Sequence, residues 1–113
     1  MTGFIQVSST VNNRLAARRI AQELLQARLA SCVQILGPIE SSYWWKGKLE
    51  REKEWLLLIK ARADDYRRIE AAIKKTHPYK IPEILAFTIL YGNPDYLDWT
   101  RNETSRRTRN QAE

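Results

Sequence analysis

Apolar residues recur along this chain at two periods, and the switches between them lay out its elements. Phe4, Ile5 and Val7 make a short β-prone run over residues 4–8, and the asparagines of "TVNN" after it suit a helix start. Over residues 14–29, Leu15, Ile20, Leu24, Leu25 and Leu29 return at helical spacing among arginines and glutamines. This predicts one amphipathic helix with a single buried stripe. "ASCVQIL" (30–36) opens a strand that is expected to break at Gly37 and Pro38, resume through "IESSYWW" (39–45) and turn at "KGK" (46–48). The return strand runs from Leu49 through "EWLLLIKA". Asp64 and Asp65 then cap a second helix whose buried face is Tyr66, Ile69, Ile73 and Thr76, with Lys74 and Lys75 at its C-terminal end and Pro78 as its stop. "EILAFTILY" (83–91) reads as the last strand, and "GNPDYLDWTRNET" (92–104) as a turn and a short terminal helix.

The order strand, helix, strand, strand, helix, strand is the split βαβ arrangement, so the expected fold is α+β: a ferredoxin-like βαββαβ sandwich with two helices on one face of an antiparallel sheet. The central hairpin departs from the usual pattern. Its arms of about a dozen residues exceed the ordinary strand of about 5 or 6, so its tip must project beyond the domain. A projecting ribbon that carries Tyr43, Trp44, Trp45 and Trp55 exposes aromatic surface and free backbone edges, which predicts cover by a partner chain.

Composition narrows the class. The 113 residues fit a single domain, 1–113, with 43 % apolar and 28 % charged residues, and residues 103–113 read as a basic tail. The longest apolar run, residues 55–59, is far short of the roughly 18 residues of a membrane span, and "MTGFIQVSST" lacks the features of a signal peptide, so no membrane and a cytoplasmic location are expected. The net charge of +6 invites a nucleic-acid reading. Much of the excess alternates with acids in "KGKLEREKE" or sits in the arginine tail, so nucleic acid is a disfavoured partner and a tail-dependent one at best. One cysteine and one histidine cannot build a zinc cage within one chain.

The segments "LASCVQI", "SYWWKGKLE", "LLLIKA", "HPYKIPEI" and "GNPDYLDW" occur in the order of the signature segments of the CutA divalent-cation tolerance family, and the chain resembles that family over roughly residues 3 to 100. The resemblance implies a small cytoplasmic homotrimer, similar to the PII signalling proteins, whose hairpins pair between subunits. It also implies a link to metal ions, with Cu(II) or another divalent cation as the bound species, and no enzymatic reaction. In some members copper binding is attributed to a cysteine ending the first strand and a histidine pair. The matching positions here are Ser9 and Thr76 with His77, which leaves His77 as the metal candidate and one imidazole where the pattern has two.

Pro78 and Pro82 hold "THPYKIPEI" extended, ending the second helix and fixing the directions of His77, Tyr79 and Glu83. Lys60, after the apolar "WLLLI", needs a carboxylate, an anionic ligand or solvent, and Glu83 is its expected counterpart. With Trp45, Tyr79 and Trp99 as aromatic walls, Cys32 nearby, and Lys60 and His77 supplying positive charge, these residues outline a cleft between subunits for a small anion or a protein partner. Cys32 has the plainer reading of a small buried apolar residue. No nucleophile elbow, phosphate loop or Ser/His/Asp order is present, so no enzyme is expected.

Overall fold

In the computed structural model the described residues are 2–105. The elements are β1 (Phe4–Val11), α1 (Arg14–Gln26), β2 (Cys32–Trp45), β3 (Lys48–Arg62), a 3-10 turn (Ala63–Asp65), α2 (Tyr66–Thr76), β4 (Ile84–Thr88) and α3 (Pro94–Glu103). One four-stranded sheet in the order β2-β3-β1-β4, every neighbouring pair antiparallel, confirms the ferredoxin-like α+β fold. No helix among the described residues is long and apolar enough to cross a membrane.

Local chemistry sets the element ends. Asn13 Oδ1 accepts from the Ala16 N–H at 2.7 Å and starts α1. The helix stops at Gln26 rather than reaching Leu29, because Arg28 turns into the left-handed region with φ 59. There the Leu29 N–H bonds the Leu24 carbonyl at 3.0 Å and the Arg28 N–H bonds the Leu25 carbonyl at 3.1 Å. This reversal caps the orphan carbonyls and folds Leu29 back onto Leu24, so Leu29 stays in the apolar stripe after the helix has ended.

The expected break at Gly37 and Pro38 is instead a bulge inside one continuous strand. Leu36 lies opposite Leu56 and Ile39 opposite Glu54, so β2 spends one extra residue and the pairing resumes. A Cβ on Gly37 would fall inside the Trp55 indole, which explains a glycine at this bend. The last strand is shorter than expected, ending at Thr88.

Ala17, Ile20, Ala21 and Leu24 of α1 and Ile69 and Ile73 of α2 pack on Val7, Val11, Leu57 and Ile59. Each fully buried Leu or Ile contributes about 1.5–3 kcal/mol relative to exposure. Alternation places the other residues of β1 and β3, with Leu36, Leu85 and Phe87, on the opposite face. One end of that face is covered by α3: the Ser31 hydroxyl donates to Thr100 Oγ1 at 3.0 Å, Arg101 lies over the Phe4 ring at 5.1 Å, and Arg28 pairs with Glu103 at 2.8 Å. Thr104, within the stretch read as tail, is buried and donates to the Thr100 carbonyl at 2.7 Å. Away from α3 the face is open, with Leu36 46 %, Leu85 51 % and Phe87 55 % exposed.

Candidate functional site

The connection from α2 to β4 is built by its prolines and its histidine. His77 ends α2 in extended conformation, φ −74 and ψ 133, as a residue before proline should. Its ring then locks the loop: Nε2–H donates to the Thr10 carbonyl at 2.8 Å, and Nδ1 accepts the Tyr79 N–H at 3.0 Å. Those two partners assign the Nε2–H tautomer, and they engage both ring nitrogens. Tyr79 packs edge-on against the imidazole, with ring centres 4.7 Å apart, and its hydroxyl donates to Glu54 Oε2 at 2.8 Å. The loop is thereby clamped to β1 on one side and to the hairpin on the other.

Between loop and hairpin lies a cleft of about 750 Å³. The hairpin contributes Tyr43, Trp45, Glu50, Glu52 and Glu54, and the loop contributes Tyr79, Lys80 and Glu83. Glu50, Glu52 and Glu54 alternate along β3, which puts them on one face, with Tyr43 directly across from Glu50. The Tyr79 hydroxyl is held far above its usual range, first by burial and then by its bond to Glu54. Tyr43 is also raised, by desolvation and then by Glu52.

The seven residues that the sequence nominated fall into separate places within one protomer. Trp45, Tyr79 and Glu83 line this cleft, and His77 sits buried behind the Tyr79 wall. Cys32, Lys60 and Trp99 lie elsewhere. Cys32 pairs opposite Lys60 at the base of the hairpin, thirteen residues before Trp45 and so roughly 40 Å along the strand at about 3.3 Å per residue. Lys60 Nζ donates to Gln34 Oε1 at 2.8 Å, and no ion pair joins it to Glu83 among the described residues. Half-buried Cys32 lies beside the Tyr96 hydroxyl, which burial pushes up, and Trp99 packs against the Tyr96 ring at 5.6 Å. Within one protomer Lys60 stands away from this cleft and His77 Nδ1 acts as an acceptor, so neither of these two residues presents a positive charge to it. The cleft holds four carboxylates against Lys80. Glu50, Glu52 and Glu54 are not among the residues nominated from sequence, because the bases that alternate with them in "KGKLEREKE" balance their charge, although their period of two is legible there.

The residues present do not fit a metal ion within one protomer. No group of three or more His, Cys, Asp or Glu side chains among the described residues is arranged to hold one. His77 has no free nitrogen, Thr76 Oγ1 bonds back to the Ala72 carbonyl at 3.4 Å, and the Ser9 hydroxyl is buried on the helix-packed side of β1 without a partner. The arginine-tail reading falls on residues 106–113, which lie outside the described residues.

Comparison with known proteins places this geometry among relatives. The family model described as CutA1 divalent ion tolerance protein matches residues 5–103. The "Divalent-cation tolerance protein CutA" of Thermus thermophilus is 41 % identical over 95 residues, 84 % of this chain and 92 % of that protein. "Protein CutA 1, chloroplastic" of rice is 41 % identical over 100 residues, 88 % of this chain, and the match spans only 56 % of the rice protein's own length. Among solved structures, Oryza sativa CutA1 superposes with a TM-score of 0.89 at 39 % identity, covering 94 % of this chain and 99 % of that one. The structure titled the periplasmic divalent cation tolerance protein CutA of Archaeoglobus fulgidus superposes with a TM-score of 0.88 at 33 % identity, covering 90 % and 99 %.

Proposed function

This chain belongs to the CutA1 divalent ion tolerance family, and from that membership we propose that it acts in divalent-cation tolerance as a non-enzymatic, cytoplasmic homotrimer. The assembly is supported by the open face of the sheet. Leu36, Leu85 and Phe87 stand exposed on it beside the outermost strands β2 and β4, while the hairpin carries Trp44 out at 72 % exposure. An apolar face next to unpaired strand edges is what a soluble chain buries against copies of itself, and closed symmetry does so without leaving a growing end. The cytoplasmic element rests on a single half-buried cysteine, which requires no oxidising compartment. Direct ligation of Cu(II) by His77 is not part of this reading, because both its nitrogens are engaged.

Sedimentation equilibrium at micromolar concentration tests the assembly. Three chain masses are expected for the wild type, and a lower mass for Leu85→Asp combined with Phe87→Asp. A natively folded wild-type monomer overturns the proposal.

A further inference from the structure

Sequence order spreads the positive charge along the chain, and the fold gathers it on the helices. α1 and α2 together carry seven cationic side chains and two carboxylates. All seven cations are exposed, on the side of the sheet away from the face assigned to the assembly. Arg68 pairs with Asp65 and Lys74 with Glu70 at 3.8 Å, which leaves Arg14, Arg18, Arg19, Arg67 and Lys75 without an ion pair among the described residues. The arginines of α1 also sit where their own helix disfavours them. Arg14 directly follows the N-cap Asn13, no acid stands in the first turn, and Arg18 repeats the charge one turn on. The positive end of the helix dipole repels cations, and like charges at i,i+4 repel each other. A local cost of this kind is expected where the compensating anion comes from outside the chain. The basic end of α2 meets the same end of the layer, because His77, just after α2, bonds the Thr10 carbonyl at 2.8 Å beside the end of β1 that leads into α1.

The surroundings of these cations select the anion. Ile20, Leu24, Ile69 and Ile73 are buried in the core, so neither helix keeps an apolar face to insert into a bilayer. Leu15 and Leu25 are the large apolar side chains left exposed on the two helices, and a protein partner needs a broader apolar centre than these offer. No aromatic ring stands exposed on either helix to stack on a base, which disfavours single strands. A regular, wholly polar polyanion remains, and four of the five unpaired cations are arginines, whose forks match phosphate. Packed helices have axes about 8–10 Å apart, so cations on α1 and α2 can meet the two strands that border a B-form groove about 6 to 12 Å wide.

We propose that the outer face of α1 and α2 docks on the phosphate backbone of double-stranded DNA, with Arg14, Arg18 and Arg19 at its centre and Arg67 and Lys75 across the groove. Such a contact reads charge and shape, not base sequence. It requires neither the assembly proposed above nor the arginines beyond residue 105.

Fluorescence anisotropy of a labelled, mixed-sequence DNA duplex titrated with the full chain is the test. The wild type should bind saturably, with an affinity that falls steeply between about 50 and 200 mM salt. Arg14→Gln combined with Arg18→Gln should weaken binding about tenfold or more at the lower salt. It should also flatten the slope of log K against log salt by about 2, one for each lost phosphate contact. The same double variant should unfold at an equal or higher urea midpoint, since it relieves repulsion at the start of α1, so its lost binding is not lost folding. Glu23→Gln, which removes the one acid of α1, should tighten binding. Absence of saturable binding at the lower salt overturns the proposal. So does binding that the double variant leaves unchanged, which belongs to other arginines, or a urea midpoint well below wild type, which gives Arg14 and Arg18 a structural role. Equal or tighter binding of polyglutamate, duplex RNA or phosphatidylserine vesicles overturns it too, because the surface then does not select B-form DNA. Sedimentation of the same samples separates the two proposals: a trimer that ignores DNA removes the docking face and keeps the assembly, and a monomer that binds it does the reverse.

Discussion

The Tyr79 hydroxyl donates to Glu54 Oε2 at 2.8 Å, and this bond joins the α2–β4 connection to the middle of the long hairpin, where Glu54 lies opposite Ile39. Glu54 is buried, so the bond serves mainly to satisfy an acid that has left water. Tyr79→Phe removes the donor and keeps the ring. The expected loss is about 1–3 kcal/mol, the cost of stranding a buried acceptor, read as a lower urea midpoint at fixed protein concentration. Combining Tyr79→Phe with Glu54→Leu should recover part of that loss, because an apolar pair leaves nothing unsatisfied. A Tyr79→Phe midpoint equal to wild type would show that water satisfies Glu54 equally well.

The same bond sets an alkaline limit. Burial, and secondarily Glu54, raises the Tyr79 hydroxyl above its ordinary value of 10.0, so the folded state holds this proton more tightly than the unfolded chain does. Its contribution is therefore fully present below about pH 10 and is lost as pH rises beyond the unfolded value. Tyr66, raised by burial and Glu70, and Tyr96, raised by burial and Cys32, add slope in the same direction. Unfolding midpoints measured from about pH 9 to pH 11.5 should fall more steeply for wild type than for Tyr79→Phe. Parallel curves for the two proteins would remove Tyr79 from the alkaline limit.

The fold was legible because its periods were unambiguous. Ile20 and Leu24 in α1, and Ile69 and Ile73 in α2, return at helical spacing, and each is buried as that spacing requires. The error at the end of α1 has a specific source. Leu29 continues the apolar stripe, but Arg28 reverses the chain without the glycine that usually signals such a cap. The site was legible only in part. Trp45, Tyr79 and Glu83 share a cleft, whereas Lys60 and Cys32 stand at the far end of the same strands, a separation that residue type and order do not encode. The acidic row was visible as an alternation of glutamates. What hid it was the interleaved Arg51 and Lys53, which project from the opposite face of β3 and cancel the charge only on paper.

At the bulge of β2, Gly37 lies against the Trp55 indole, leaving no room for a side chain. Gly37→Ala must push the indole aside or open the bulge. Destabilisation of about 1–3 kcal/mol is expected, as for overpacked cores. Because Trp55 Nε1 is buried without a hydrogen-bond partner, displacing the ring towards solvent should also shift the emission to the red. A variant with wild-type midpoint and emission would show that the ring relaxes freely.

His77 is the one histidine of the chain, and its ring is used as a brace. Nε2–H reaches the Thr10 carbonyl on β1, and Nδ1 holds the Tyr79 N–H, so removing the ring frees one buried and one partly buried backbone group and loosens the wall of the cleft. His77→Ala should cost about 1–3 kcal/mol, from two hydrogen bonds at about 0.5–1.5 kcal/mol each. His77→Gln, which reaches Thr10 with one amide, should recover part of that. The brace and the metal-ligand roles predict opposite results in titration. A ring with both nitrogens engaged contributes nothing to Cu(II), so wild type and His77→Ala should give the same Cu(II) heats under conditions where both are folded. Loss of a saturable Cu(II) site in His77→Ala, with its thermal midpoint unchanged, would mean that the imidazole releases its backbone partners to take the metal.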